Sequence, residues 1–210
     1  MTDRTRSSEK YAPQAERWSE EAYADADSYL AHRAELVRSL GPRLERGDTV
    51  LDLACGDGGF APYLSEFAYY GVDASREMVG AAKRRGRMVV LGDLNEYEPP
   101  APVAATTCFR AVYYARDRAA FFRRVAGYTE RKFVFDLNPR QYRLADVRHD
   151  LHGAGFHRLE LRPFFSPQRV SLPDPAAAAL RALERSGPLA RLLLAVRFSY
   201  LCAAFRGRNT

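Results

Sequence analysis

Two aspartates flank a glycine-rich turn in the stretch TVLDLACGDGGFAPYL, residues 49–64. Asp52 lies inside an apolar run, and Asp57 lies within the turn itself. A pyrophosphate bound at this turn would be repelled by both carboxylates, at a cost on the order of a few kcal/mol for like charges about 4–6 Å apart. A cofactor that carries cationic groups would instead be attracted. The two acids therefore favour a cationic ligand in the turn.

Two more acids stand where the next predicted strands end. Asp73 closes the run YYGVD, where a carboxylate can accept hydrogen bonds from both hydroxyls of a ribose. Asp93 closes VVLGD twenty residues later and could accept from an adenine amino group. Acids at three successive strand ends suit one adenosine-plus-methionine ligand with a sulfonium and an ammonium group. We therefore expect S-adenosylmethionine as the cofactor and S-adenosylhomocysteine as its product.

The letters GDGGFA also satisfy the dinucleotide fingerprint G-x-G-x-x-G/A. In that interpretation Asp73 would hold the ribose of a nicotinamide cofactor, and the protein would be an NAD-dependent oxidoreductase. The acids in and before the turn argue against a pyrophosphate there, but the alternative stays open.

Strands and helices alternate from Thr49 onward, which predicts an α/β fold with a doubly wound, mostly parallel sheet and helices on both faces. The predicted strands are 49–54, 69–73, 87–91, 104–110, 131–137 and 157–165, and the helices between them are 59–67, 75–85, 117–127 and 140–153. A helical region begins at about residue 174, and a seventh strand is expected at roughly 197–205. Ligands of such sheets lie beyond the carboxyl ends of the strands.

An amphipathic helix is predicted before the first strand. Ser19 can cap it, its apolar positions recur every three or four residues as far as Leu40, and Gly41-Pro42 ends it.

The stretches VLDLACGDGG, GVDASREMV and GDL resemble the class I, Rossmann-like family of S-adenosylmethionine-dependent methyltransferases. The resemblance covers roughly residues 48–165, and RFSYLCAAFR resembles the final antiparallel strand of that family. It implies an N-terminal helical cap or lid over residues 1–47 and a Rossmann-like domain over 48–210, within one structural domain overall. Ala54 departs from the family pattern, which most often has a glycine at this position.

The resemblance implies a set of cofactor-binding residues. Asp52 would orient the methionine end, Asp73 would bind the ribose and Asp93 would meet the adenine edge. The full implied set is Asp52, Ala54, Cys55, Gly56, Asp73, Ala74, Met78, Asp93, Leu94 and Phe109.

The acceptor substrate is expected over the ends of the fourth and fifth strands. Many relatives have a His-His pair where this chain has Tyr113-Tyr114, and tyrosine is a poor base near pH 7. No catalytic base is therefore assigned, and Arg140 is a candidate clamp for a substrate carboxylate. The candidate substrate-binding residues are Tyr11, Trp18, His32, Arg110, Tyr113, Tyr114, Asn138 and Arg140; packing roles compete for most of them.

The sequence contains no motif typical of a metal or disulfide framework. Its three cysteines are far apart in the chain, and the spacing of His149 and His152 has little carboxylate support. No metal is expected. The polar N-terminus and the lack of a long apolar run predict a cytoplasmic protein without a membrane span.

Charge is distributed unevenly, with −5 over residues 1–100 and +11 over residues 101–210. The preferred hypothesis is an enzyme that methylates an oxygen or nitrogen of a small molecule, with a homodimer possible. RNA or protein as the acceptor is an alternative that the basic half would serve. A module that binds the cofactor without catalysis is a further alternative.

Overall fold

The computed structural model describes residues 12–138, 140–194 and 199–207. Seven strands form one sheet in the order β3-β2-β1-β4-β5-β7-β6. Their bounds are β1 Thr49–Leu53, β2 Ala68–Asp73, β3 Val89–Leu91, β4 Val103–Cys108, β5 Thr129–Leu137, β6 Arg158–Phe164 and β7 Ser199–Phe205. β7 pairs antiparallel with both β5 and β6, and the pairs among β1 to β5 are parallel. The predicted fold class is confirmed, including the antiparallel last strand.

Helices lie between the strands as the sequence predicts, with shifted ends. Their bounds are α1 Trp18–Ala22, α2 Ala26–Ser39, α3 Arg76–Arg84, α4 Arg118–Tyr128, α5 Leu144–Gly153, α6 Asp174–Glu184 and α7 Pro188–Leu194. The helix predicted over 59–67 is only a 3-10 turn, Ala61–Leu64, because the preceding residues form the turn at the sheet edge. α5 begins later than predicted, because Asn138 accepts backbone hydrogen bonds from Gln141 and Tyr142 in a separate turn.

The prediction of a single N-terminal helix from Ser19 to Leu40 is wrong, because the helix is interrupted after Ala22. Asp25 caps the longer helix instead, through a 2.9 Å hydrogen bond that Oδ1 accepts from the Ser28 amide. At the break, the Ala24 amide donates to the Gln168 carbonyl, 2.9 Å away, in the loop after β6. α1 and the preceding 3-10 turn Ala12–Arg17 thus form a separate segment, here called the N-terminal strap, residues 12–22.

α2 packs on one face of the sheet. Leu36, Val37 and Leu40 are buried in a core cluster shared with β1, β4, β5 and β7. Buried Lys132 on β5 donates from Nζ to the carbonyls of Val37 and Leu40, at 2.6 and 2.7 Å. These bonds satisfy acceptors that the last turn of a helix leaves open, so they fix the C-terminus of α2 to the sheet.

The opposite face of the sheet is covered by α4 and α5. Phe121 and Phe122 of α4 pack against the rings of Phe133 and Phe135 on β5. The carboxyl ends of β1 to β5 therefore meet at one edge of a sheet that is buried on both sides. In the described part of the chain, no helix is both long enough and apolar enough to span a membrane.

Candidate active site

A cavity of about 560 Å³ opens at the carboxyl edge of β1 to β4 and is called here the larger cavity. All ten residues implied as cofactor ligands line it, and Trp18, Arg110, Tyr113 and Tyr114 of the candidate substrate set line it as well. The strand ends bring together residues that are up to 62 positions apart in the sequence, from Asp52 to Tyr114. Their chemistry depends on how each carboxylate is held.

Asp52 ends β1 as a buried acid, 3% exposed. Its two oxygens accept from the Tyr69 hydroxyl at 2.7 Å and from Thr107 Oγ1 at 2.6 Å. Burial raises the pKa of the Asp52 carboxyl to about 6, against the opposing effect of these hydroxyls. Arg33 also acts to lower this pKa, but no described residue forms an ion pair with Asp52, so a cationic ligand group would stabilise the buried carboxylate.

Asp73 ends β2 and holds the glycine-rich turn in place. Its Oδ2 accepts from the Gly56 amide at 2.8 Å, and its Oδ1 accepts from the Ser75 amide at 2.9 Å. Burial raises its pKa, while these amides act to lower it. Each carboxylate oxygen has a second lone pair, so both oxygens can still accept from a ligand hydroxyl.

Asp93, after β3, is part of a network that the sequence did not reveal. It accepts from the amide and the side chain of Asn95, at 2.9 and 2.8 Å, and from Arg116 at 2.9 Å. Asn95 also donates to the Tyr114 carbonyl at 3.2 Å. The network joins the end of β3 to the loop after β4, and thereby fixes the wall where an adenine edge would lie.

Asp57 does not take part in the site, which corrects the argument made from its place in the turn. It is fully buried and does not line the cavity. It forms an ion pair with Arg85 and accepts hydrogen bonds from the Gly59 amide and from both the amide and the hydroxyl of Ser19. Its charge is therefore compensated within the protein, and its contacts fasten the N-terminal strap to the turn.

Backbone strain occurs at two non-glycine residues of the site. Ala54 and Arg110 have φ of +56° and +54°, the left-handed region that disfavours a side chain. Ala54 is the position where the resembled family most often has glycine, and the positive φ gives the physical reason. The Arg110 amide donates to Asp136 Oδ1 at 2.6 Å, which holds the unusual backbone conformation.

A second cavity, of about 200 Å³, adjoins the first and is called here the smaller cavity. Arg110 and Tyr113 line both cavities. The other lining residues of the smaller cavity are Tyr29, Val112, Asp136, Asn138, Gln141, Tyr142 and Gln168. The two cavities thus share a wall at the end of β4.

Arg33 is a site residue that sequence analysis missed. It lines the larger cavity, although it is only 3% exposed. Its guanidinium lies over the Phe109 ring, 4.3 Å from the centroid, and donates to the Tyr29 hydroxyl at 2.9 Å. Its Nε is buried without a hydrogen-bond partner. One signal in the sequence could have revealed this role. Arg33 lies three residues after Leu30 and four before Val37, so a charged residue occupies the apolar stripe of the helix.

Two of the described candidate substrate residues, His32 and Arg140, line neither cavity. His32 is buried on the other side of α2, where its Nε2 lies 2.6 Å from Glu184 Oε2 and its ring stacks on Phe164. Arg140 is exposed and lines neither cavity. Tyr11 lies outside the described residues. Among the described residues, no group of three His, Cys, Asp or Glu side chains is arranged to hold a metal.

Comparison with known proteins gives the family of this site. Residues 50–132 match a family model described as a methyltransferase domain. This part of the chain is thus a methyltransferase domain. The match begins in β1 and ends in β5, so it includes the loops that carry Asp52, Asp73 and Asp93. It confirms the recognition made from the sequence, that of a class whose cofactor is S-adenosylmethionine.

Curated relatives resemble most of this chain at low identity. Trans-aconitate 2-methyltransferase of Mycobacterium tuberculosis (strain ATCC 25177 / H37Ra) is 28% identical over 185 residues, 83% of this chain and 59% of the relative. A trans-aconitate 2-methyltransferase of Mycobacterium marinum is 32% identical over 106 residues, 45% of this chain and 40% of the relative. The chain thus spans only about 59% of the length of the first of these relatives.

A solved structure shares the fold along nearly the whole chain. Magnesium protoporphyrin IX methyltransferase from Synechocystis PCC 6803, solved with bound SAM, superposes with a TM-score of 0.66 and 16% identity. The superposition covers 99% of this chain and 98% of that one. At this identity the likeness concerns the fold.

Proposed function

We propose that this protein transfers the methyl group of S-adenosylmethionine to an oxygen or nitrogen of a small molecule. The observation that carries the proposal is the ordered set Asp52, Asp73 and Asp93, all lining one cavity of about 560 Å³ at the ends of β1, β2 and β3. A cavity of this size lies within the range of small-molecule sites.

Each part of the cofactor has a chemically complementary group in the lining of the larger cavity, which supports the proposal. The amino-acid part of S-adenosylmethionine carries an ammonium and a carboxylate, which suit Asp52 and the unpartnered Nε of Arg33 respectively. Asp73 would accept from the ribose hydroxyls, and Asp93 from the adenine amino group. Met78 and Leu94 supply buried apolar surface for the adenine.

Methyl transfer is an in-line displacement that this arrangement can support. The bond from the methyl carbon to sulfur breaks, and its electron pair stays on sulfur. A lone pair of the acceptor forms the new bond to carbon, and a neutral hydroxyl or amine acceptor also loses a proton to solvent or to a side chain. The protein contributes alignment and exclusion of water. We assign the N-terminal strap, within the proposed cap of residues 1–47, to the second task, since Trp18 covers the glycine-rich turn.

A small acceptor is supported by the size of the smaller cavity, about 200 Å³, and by its shared wall with the larger one. The curated relatives are methyltransferases named for trans-aconitate, itself a small molecule. An NAD-dependent oxidoreductase fits less well, because Asp52 would face the pyrophosphate and residues 50–132 match a methyltransferase domain.

Binding of S-adenosylhomocysteine, measured by calorimetry, tests the cofactor. Asp73→Ala should weaken it by roughly 1.5–3 kcal/mol, because hydrogen bonds to a charged acceptor are lost. Asp146→Ala is the matched control, since Asp146 is exposed on α5 and lines neither cavity. Equal affinity of a folded Asp73→Ala protein and the wild type would contradict the ribose assignment.

Methyl-labelled S-adenosylmethionine tests the acceptor. The purified protein is incubated with a cell extract that has been separated into small-molecule, RNA and protein fractions. We expect label in the small-molecule fraction, and much less there when Asp73→Ala replaces the wild type. Label in the RNA or protein fraction would instead give the basic half of the chain a binding role.

A further inference from the structure

We propose that the acceptor carries a carboxylate and that Arg110 binds this carboxylate at the wall between the two cavities. The proposal rests on the methyltransferase function proposed above and names the chemical class of its substrate. It also replaces Arg140, the carboxylate clamp expected from the sequence, with a residue that the fold brings to the site.

Within the part of the chain that the structure describes, the Arg110 guanidinium has a hydrogen bond with the Tyr23 side chain but no acidic partner. It lies near the rings of Trp18 and Tyr23, 5.9 and 5.8 Å from their centroids. Among the described residues, no carboxylate lies within 4 Å of this guanidinium, whereas the neighbouring Arg116 and Arg118 each pair with an aspartate. The Arg110 side chain is only partly exposed, so water does not fully solvate its charge. An anion from solution would complete its coordination.

The two acids near this wall interact with Arg33 more closely than with the Arg110 guanidinium. Asp136 Oδ2 lies 3.8 Å from Arg33 Nη2, and Asp52 also acts electrostatically on Arg33. Asp136 accepts a hydrogen bond from the Arg110 backbone amide, and both guanidinium groups act to lower its pKa. A carboxylate on the acceptor would give the Arg110 guanidinium the ion-pair partner that the described residues do not supply.

The position of Arg110 is fixed by the fold. Its φ of +54° and the 2.6 Å bond from its amide to Asp136 hold the residue at the end of β4. Strain of this kind persists where the surrounding structure enforces it, and it is frequent at ligand sites. Asn138, Gln141 and Gln168 line the smaller cavity, and their side-chain amides can bind the remaining polar groups of such an acceptor.

Titration with defined carboxylates tests the proposal directly. The probes are trans-aconitate, succinate and benzoate, with succinamide as the uncharged counterpart of succinate. Binding is followed by calorimetry and by the fluorescence of Trp18, which is the one tryptophan of the sequence and lines the larger cavity. Each titration is run with and without S-adenosylhomocysteine, so the acceptor site is measured whether or not the cofactor proposal holds.

We expect saturable binding of at least one carboxylate and none of succinamide. Arg110→Gln should weaken this binding about tenfold or more, because a charge-assisted bidentate contact is lost. Arg143→Gln is the matched control, since Arg143 is exposed and lines neither cavity. The proposal is overturned if no probe saturates, if Arg110→Gln binds like the wild type, or if Arg140→Gln produces the loss instead.

A separate arm identifies which carboxylate Arg110 binds, because the cofactor carries one too. S-adenosylhomocysteine has the amino-acid carboxylate, and 5′-methylthioadenosine lacks it. Arg110→Gln should change the affinities for the two nucleosides by the same factor, because the proposal gives it no contact with the amino-acid carboxylate. If it weakens only S-adenosylhomocysteine, Arg110 binds the cofactor and the acceptor proposal is wrong. If the wild type binds neither nucleoside, it is the cofactor proposal that fails.

Discussion

The indole of Trp18 lies directly against Gly56, so closely that a Cβ on Gly56 would stand 3.0 Å from Trp18 Cδ1. Gly56 also has a φ of +61°, which disfavours any side chain. Gly56→Ala should therefore cost about 1–2 kcal/mol of unfolding free energy and displace the N-terminal strap from the turn. Urea unfolding followed by circular dichroism measures the first effect, and the Trp18 emission spectrum reports the second.

Gly127→Ala is the matched control for this substitution. Gly127 lies in α4 with a helical backbone, and a Cβ there would meet nothing within 4 Å. Alanine should stabilise the protein at this position by up to about 1 kcal/mol, because glycine loses more backbone entropy in a helix. Equal effects at the two positions would contradict the account of the strap.

Ala54→Gly should stabilise the protein by about 1 kcal/mol, because glycine relieves the left-handed φ of +56° at no steric cost. Ala178→Gly, in the exposed part of α6, should destabilise it by about 1 kcal/mol. Chemical denaturation of the two variants measures both signs. A loss of stability in Ala54→Gly would refute the presence of strain at this turn.

The burial of Asp52 predicts opposite pH dependences for stability and for ligand binding. Its pKa rises from 3.8 to about 6 on folding, so the folded state holds the extra proton between these values. Its contribution to the unfolding free energy therefore falls as the pH rises from about 4 through 6, by roughly 3 kcal/mol in all. Asp52→Asn should remove this fall, as measured by urea unfolding at pH 4.5, 6 and 8.

S-adenosylhomocysteine, whose ammonium needs the ionised carboxylate, should bind wild-type protein more weakly as the pH falls through about 6. In Asp52→Asn this binding should be weak and show no such change with pH. Calorimetry at the same three pH values checks it, and an unchanged pH profile in the variant would exclude Asp52 as the titrating group.

Asp57 and Ser19 should behave as one unit in stability. Asp57→Ala should cost about 3–5 kcal/mol, because it removes the buried partner of Arg85 and the acceptor for the strap. Ser19→Ala alone should cost about 1 kcal/mol, and close to nothing in the Asp57→Ala background. A double-mutant cycle from urea unfolding measures the coupling; additive costs would mean that the two residues act independently.

Much of the fold and the set of cofactor-binding residues could be predicted from hydrophobic periodicity and from the acids at the strand ends. Both of these signals are short-range patterns in the sequence. The alternation of apolar strands and helices fixes which residues end at one sheet edge, and Asp52, Asp73 and Asp93 followed from it. The break of the first helix did not, because it depends on a contact between Ala24 and Gln168, which are 144 positions apart. Local propensity contains no information on such a pairing.

Side-chain direction was the other limit of the sequence. Asp57 and His32 have residue types suited to the site, yet each is turned to a partner elsewhere, Arg85 and Glu184. Arg33 is the converse case. The sequence analysis named the adjacent residue, His32, but one position along a helix turns the side chain by about 100°, so Arg33 and not His32 faces the cavity. Residue type predicted the kind of chemistry, and three-dimensional packing determines which residue of that type faces the site.

Arg110 and Tyr113 form a wall that the two cavities share, and this has a thermodynamic consequence. A ligand in either cavity would contact Arg110 and Tyr113, so we expect occupancy of one cavity to change the free energy of binding in the other. Such linkage is reciprocal. If the bound nucleoside changes the affinity for the acceptor by a given factor, the bound acceptor changes the affinity for the nucleoside by the same factor. The affinity of each ligand is thus a property of the pair.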